Sequence, residues 1–349
     1  MSRKIAAEVK NVKLSFKDSL TKKENIVIRN TGFKLYKGEI LGIIGESGSG
    51  KSVITSLLNG VIGDNARIHE GTIKINGEDV TDWKQKQWFK SNIRGRVVGR
   101  VFQNPLSALN PALKIKYQLI EALLDFKIYS SEKECIDVVV DILDKMNMPN
   151  PVALLDMYPH ELSGGMIQRV VITMVIAAKP DIIIFDEPTT ALDPIVQSEI
   201  LHTIKKINKE NNTSMIFITH DIGVISAIAD RISVMYAGRI IEEGLKNEIL
   251  FNPHHPYTWG LLSSLPSSEN NDELYSIEGI LDMSVVEPEQ DAFVFRNQYG
   301  MQIDLEKRPP RFKISNTHFV ESWLYHKDAP KFEKPEFIKK LNNFKPKGE

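Results

Sequence analysis

The chain has 349 residues, 42% hydrophobic and 26% charged, a balance that suits a soluble globular protein with room for two domains. A formal net charge of −1 supplies no global basic field for gathering nucleic acid or acidic lipid. The single cysteine, Cys135, excludes an internal disulfide or a Cys-based metal site built by this chain alone, as fits a reducing compartment.

The opening MSRKIAAEVKNVKLSF lacks an apolar segment of signal-peptide type. The most apolar run, Val170 to Ala178, is about half the length needed to cross a bilayer. Any membrane role is therefore expected to come through a partner. Residues 8–44 alternate as strands do: EVKNVKLSF and GFKLYKGEILGIIG place apolar residues at every second position. The second stretch ends in the apolar run Ile40 to Ile44, as expected of a strand buried on both faces. A glycine loop and the helix KSVITSLLNGV follow. Residues 66–102 return to short strands, GTIKINGEDV and GRVVGRVF, read together as a small antiparallel subdomain. From Asn110 to about Ala178 the periodicity is mostly helical, with Cys135 on the apolar face of ECIDVVVDILDKM as a core or half-buried thiol. Asp181 to Phe185 and Ser214 to Ile218 are further buried strands, each preceded by helix, so the core is α/β with the helical block inserted. After Phe251, NPHHPYTWGLLSSLPSSENNDE reads as a short helix leaving the core and then a linker. The Lys-rich stretch from Lys331 to Lys347 reads as a solvated tail. No internal repeat occurs, which gives one nucleotide-binding unit.

Gly45-Glu46-Ser47-Gly48-Ser49-Gly50-Lys51-Ser52 fits G-x-x-x-x-G-K-S/T between a predicted strand and a predicted helix. The glycines let successive N–H groups face inward around phosphates, next to a helix start. Lys51 is placed to reach the β- and γ-phosphates, and the Ser52 hydroxyl to ligate Mg²⁺. This pattern defines a P-loop NTPase without saying what hydrolysis drives.

A second glycine turn, Leu162-Ser163-Gly164-Gly165-Met166, runs into another helix and offers an anion-binding start that one phosphate site does not need. Asp186, at the end of a buried strand, suits the Mg²⁺ shell. Glu187 suits a general base or an orienter of the attacking water. Taken singly, Gln103 suits a loop amide, His220 a strand-end structural residue and Asp193 a cap before Pro194. Their joint spacing favours function. Over roughly residues 8–265 the sequence resembles the ABC-transporter ATPase family. Walker A corresponds to Gly45–Ser52, the Q-loop glutamine to Gln103 in VFQNP, and the signature to Leu162–Met166. Walker B ends at Asp186 with the catalytic glutamate at Glu187, the D-loop is Ala191-Leu192-Asp193, and the switch histidine is His220 in FITHD.

The resemblance implies a RecA-like P-loop core over residues 1–250 with an antiparallel β subdomain and a helical subdomain at about 104–178. Residues 251–349 would form a small C-terminal region. It implies ATP and Mg²⁺ as ligands, with Ser52, Gln103 and Asp186 at the metal. It also implies head-to-tail pairing in which Ser163, Gly164 and Gly165 serve the partner's ATP and Asp193 communicates across the dimer. Phe16 is the candidate adenine-stacking aromatic, a role that core packing explains as well. Met166 in the signature, and Asn252 to Thr258 with Leu261, Leu262 and Pro266 beyond, resemble the peptide and nickel importer branch. The adjacent His254 and His255 in a Pro-rich turn make a poor chelate. Many members of that branch carry an iron–sulfur cluster in the tail. Here Asp291, Asn297, Asp304 and Ser322 stand where its thiolates would be, so no cluster is expected. The tail is expected to pack through Phe293, Phe295, Tyr299, Phe312 and Trp323.

The implied role is a peripheral subunit on the cytoplasmic face of a membrane, coupling ATP hydrolysis to oligopeptide or dipeptide uptake. Its implied partners are a second, related ATPase chain, two permease subunits and an extracellular substrate-binding protein, with no nucleic acid. A nickel, opine or oligosaccharide importer is the alternative within transport. A soluble ABC ATPase acting on ribosomes or DNA is the alternative outside it.

Overall fold

Alternating apolar residues at the start of the chain form two long strands, β1 (Ile5–Lys17) and β2 (Glu24–Tyr36), paired antiparallel with Val9 opposite Phe33. The computed structural model in which they are seen describes residues 3–189, 192–263, 277–281 and 289–341. A turn at Gly38, in the left-handed region at φ 73°, leads into β3 (Ile40–Ile44), whose five residues are all buried. GFKLYKGEILGIIG is therefore two strands in two sheets, divided where the pattern changes from alternating to continuously apolar.

After α1 (Lys51–Ser56), strands β4 (Ala66–Ile75) and β5 (Glu78–Asp79) complete an antiparallel sheet of order β2-β1-β4-β5. Helix α2 (Gln85–Lys90) follows. The next strand, β6 (Val98–Val101), corrects the sequence reading. It does not join the antiparallel subdomain but lies parallel to β7 (Ile182–Asp186), with Val98 opposite Ile182. The helical insertion is α3 (Ile115–Asp125), α4 (Glu132–Lys145), α5 (Pro151–Leu154) and α6 (Gly164–Ala177). Cys135, Val139, Ile142 and Leu143 form the buried stripe of α4, and Ser131 caps its N-terminus.

Beyond β7 come α7 (Pro194–Asn211), β8 (Ser214–Thr219), α8 (Ile222–Ile228), β9 (Arg231–Tyr236) and β10 (Arg239–Leu245). Helices α9 (Lys246–Phe251), α10 (Pro256–Ser263) and α11 (Gln302–Glu306) precede β11 (Arg311–Lys313), β12 (Phe319–Glu321) and α12 (Glu336–Leu341). The main sheet has the order β11-β12-β10-β9-β3-β8-β7-β6. Its β9-β3-β8-β7-β6 part is parallel, while β10, β12 and β11 add antiparallel at one side. The loop after β3, the carboxylates after β7, His220 after β8 and Gln103 after β6 all leave the carboxyl ends of adjacent parallel strands. That is where open α/β sheets place ligands.

The C-terminal residues are more deeply embedded than their composition suggests. Helix α10 does not leave the core, because Tyr257 and Trp259 are fully buried. The linker read after it, with Pro266, lies outside the described residues. Glu242, buried in β10, accepts the backbone N–H of His254 (2.6 Å) and of His255 (3.0 Å), and its Oε1 meets His318 Nε2 at 2.7 Å. Burial works to raise the Glu242 carboxyl, but the His318 hydrogen bond and charge hold it below the ordinary value. His254 and His255 are both pushed down to about 4 by burial, so they sit here as neutral rings. Phe293 is fully buried and Tyr299 meets Trp259 edge-on at 5.4 Å, whereas Phe295 is mostly exposed. Lys331 to Leu341 is not a solvated tail. Lys334 Nζ donates to Asn252 Oδ1 (3.0 Å) and the Pro253 carbonyl (2.8 Å), and Ile338 of α12 is fully buried.

Candidate functional site

The loop after β3 is shaped by backbone geometry. Gly45 has φ 155°, and a Cβ there would lie 2.0 Å from the Met235 carbonyl oxygen. Gly50, at φ 100°, precedes the first turn of α1. Lys51 opens that helix and is buried, with Nζ donating to the carbonyls of Gly45 and Glu46 at 2.8 Å each. Burial pushes its ammonium below the ordinary range, opposed by the negative charges of Glu187, Asp186 and Glu46. A polyanion in this loop would meet N–H groups and an ammonium already drawn into the fold.

Next to it, Ser52 Oγ donates to Asp186 Oδ1 at 2.8 Å. A hydroxyl and a carboxylate so placed are the hard oxygen donors that a small divalent cation selects, with its remaining positions open to phosphate and water oxygens. Glu187 follows at φ 47°, a left-handed conformation that non-glycine residues adopt at some cost, and its N–H donates to the Ile218 carbonyl at 2.9 Å. Its carboxylate sits between two side chains from neighbouring strands: Gln103 Nε2 donates to Oε2 at 3.0 Å, and His220 Nδ1 lies 3.3 Å from Oε1. Strands β3, β6, β7 and β8 thus bring Lys51, Ser52, Gln103, Asp186, Glu187 and His220 to one place.

Other expected site residues stand apart. The signature Leu162 to Met166 forms the start of α6, where Ser163 Oγ accepts the Met166 N–H at 3.4 Å, and no hydrogen bond or ion pair joins it to the Gly45–Ser52 loop. Asp193 caps α7 by accepting the Val196 N–H at 3.0 Å, while Ala191 lies outside the described residues. Phe16 is half-buried in β1, opposite Asn25 and Ala66, against the core beneath the antiparallel sheet.

Comparison with known proteins bears on this arrangement. An ABC transporter family model matches residues 28–190, and a model for the oligopeptide/dipeptide transporter C-terminal region matches residues 241–295. Over 336 residues the chain is 45% identical to an oligopeptide transport ATP-binding protein, OppD, of Bacillus subtilis strain 168, covering 95% of this chain and 92% of that one. This chain belongs to the ABC transporter ATP-binding family. The ABC subunit is also 41% identical over 332 residues to a dipeptide transport ATP-binding protein, DppD, of Lactococcus lactis, covering 95% and 94% of the two chains. Among solved structures, the ATP-binding cassette MJ0796, a dimer in a post-hydrolysis state with ADP and Pi, superimposes with a TM-score of 0.61 at 27% identity. That match covers 69% of this chain and 98% of the other.

The ABC subunit also has site residues that sequence reasoning missed. Arg100 of β6 donates to Asp186 Oδ2, to Ser56 Oγ at 2.6 Å and to the Ser52 carbonyl at 3.3 Å, with its guanidinium over the Phe102 ring. The available signal was a charged residue inside an otherwise apolar strand. Tyr257 takes the Glu46 N–H on its hydroxyl at 2.8 Å, and Arg296 grips the Glu46 carboxylate, both from the C-terminal region. At the four positions that the resemblance sets against thiolates, the side chains are oxygen or amide groups. Asp291 accepts the Phe293 N–H, Asn297 the Tyr299 N–H, Asp304 the Met301 N–H and Ser322 the Leu324 N–H. Such a donor set does not suit an iron–sulfur cluster. Among the described residues no group of three or more His, Cys, Asp or Glu is arranged to hold a metal, and no helix is long and apolar enough to cross a membrane.

Proposed function

We propose that this chain is the motor subunit of a peptide importer, working at the cytoplasmic face of a membrane against two permease subunits. A second ATPase chain would complete its nucleotide sites, and an extracellular binding protein would deliver cargo. The observation that carries the catalytic part is the Glu187 carboxylate held between Gln103 and His220, one residue beyond the Asp186–Ser52 pair. The peptide assignment rests on the 45% likeness to an oligopeptide transport subunit along nearly the whole chain.

In this reading the Gly45–Ser52 N–H groups and Lys51 hold the β- and γ-phosphates, and Phe16 lies toward the adenine. Ser52, Asp186 and Gln103 are the residues for Mg²⁺, which when bound neutralises charge on the phosphate oxygens. Glu187 accepts a proton from the water that attacks the γ-phosphate, and His220 and Gln103 fix the direction of its carboxylate. Leu162–Met166 and Asp193 serve the partner chain's nucleotide. Residues 1–250 form the nucleotide-binding unit, with the helical subdomain near 104–178, and residues 251–349 form an importer-type C-terminal region.

The test is purification of Glu187→Gln from gently solubilised native membranes with MgATP, followed by mass spectrometry. Recovery of two multi-span permeases and a second ATPase is the expected result. Recovery of ribosomal or DNA-repair proteins without permeases would overturn the transport reading.

A further inference from the structure

Arg296 ends a short 3₁₀ turn in the C-terminal region, yet its side chain, 10% exposed, reaches the phosphate loop. Nη1 donates to both carboxylate oxygens of Glu46, at 3.1 and 3.0 Å, and lies 3.2 Å from the Tyr236 hydroxyl. Nε and Nη2 donate to the carbonyls of Glu278 and Gly279, each at 2.9 Å. Alongside, the Tyr257 hydroxyl accepts the Glu46 N–H, and Tyr236, Tyr257 and Phe293 pack as a trio with ring centroids 4.7–5.5 Å apart. Glu46 is thus held by its side chain and by its backbone, both times from outside the nucleotide-binding fold.

The position of Glu46 makes this grip consequential. It is the first residue after Gly45, and its carbonyl is one of the two that fix the Lys51 ammonium. A carboxylate there, left unpaired, would face an arriving polyphosphate of the same sign. The guanidinium, reaching both carboxylate oxygens through Nη1 alone, cancels that charge and fixes its direction.

We propose that Arg296 is a positioning residue of the nucleotide site: it neutralises Glu46 and holds the phosphate loop receptive, so nucleotide affinity depends on a docked C-terminal region. The proposal rests on the reading of Gly45–Ser52 as the phosphate loop, and one variant tests that reading separately.

The experiment titrates a fluorescent ATP analogue with Mg²⁺ into the full-length chain and its Lys51→Ala, Arg296→Met, Glu46→Gln and Arg296→Met/Glu46→Gln variants. Arg296→Met is expected to weaken binding about tenfold in the native background, the scale of leaving a half-buried charge unpaired. On the Glu46→Gln background the same change is expected to cost less than about twofold, because the harmful carboxylate is gone. An equal loss in both backgrounds would reduce Arg296 to general support of the fold and overturn the proposal. So would unchanged affinity in Arg296→Met while Lys51→Ala binds poorly. Unchanged affinity in Lys51→Ala would instead remove the phosphate-loop reading itself. Should Arg296→Met fail to fold, Arg296→Lys keeps the charge without both carbonyl bonds and is expected to stay within about threefold of native affinity. A tenfold loss there would refute charge neutralisation.

Discussion

Replacing Asp291 by Asn is predicted to stabilise the protein increasingly as pH rises. Asp291 is 3% exposed; its Oδ1 accepts the Phe293 N–H at 3.0 Å, and its Oδ2 has no N–H or O–H donor apart from a proton shared with Asp304. Burial, reinforced by the Asp304 charge and only partly offset by the Phe293 N–H and the Arg239 charge, pushes the carboxyl up to about 7. An acid whose folded pKa lies above its unfolded value contributes its full stability below the unfolded pKa. It loses that stability as pH rises through the folded one, because the unfolded chain releases the proton first. Between pH 5 and the folded value of about 7 lie roughly two pKa units, on the order of 2–3 kcal/mol. Asn keeps the acceptor for Phe293, can donate its amide to Asp304, and has no charge to bury. The difference in unfolding free energy between variant and native chain should therefore move in the variant's favour by roughly 2–3 kcal/mol from pH 5 to pH 8. It should level off above the folded pKa. Urea unfolding followed by tryptophan fluorescence at fixed ionic strength measures it. A difference that stays flat over this range, or turns against Asn at pH 8, would refute the argument.

Other consequences are as direct. Glu187→Gln should retain ATP binding and slow hydrolysis by about 10²-fold or more, the scale of losing a general base; a phosphate-release assay beside a nucleotide titration checks both. Arg100→Met leaves Asp186 without its guanidinium and should lower nucleotide-free stability by about 3 kcal/mol. The rise in Tm given by MgADP should then exceed that of the native chain, since a bound cation restores the missing charge; equal Tm rises would contradict this. Trp259→Ala empties a fully buried site among Tyr299, Phe332, Leu324 and Ile338. It should cost about 3–5 kcal/mol in urea unfolding without changing residues at the phosphate loop.

The site was legible where short stretches of chain carry their own physics. Gly45 and Gly50 announce a backbone no other residue tolerates, and Asp186 and His220 stand at the ends of apolar strands whose parallel order brings them beside Lys51. What escaped depends on distance along the chain. Nothing local in FVFRNQYG says that Arg296 reaches Glu46, 250 residues earlier. The four residues of β6 carry no mark of which sheet they join, because a run as short as Val98-Gly99-Arg100-Val101 fits either one. The stretch after Lys331 reads as a solvated tail because charged residues crowd around Ile338, the one side chain among its described residues that is fully buried. The HHPY segment was singled out by resemblance, but its reason is the buried Glu242, whose carboxylate needs the two histidine N–H groups.

The outermost strands of the main sheet carry a further consequence. β12 covers the free side of β10, and β11, three residues long, becomes the rim, with Arg311 and Lys313 exposed on it and Pro309 and Pro310 just before it. A rim so short, cationic and proline-guarded resists recruiting strands from other molecules. A chain cut after Glu306 would lose that guard and bare the unpaired backbone of β10, together with a buried glutamate deprived of His318. Premature termination or proteolytic nicking near the C-terminus should therefore yield a species that self-associates through its sheet. In expression work, trimming the chain back past β11 and β12 is the hazardous alteration at this end.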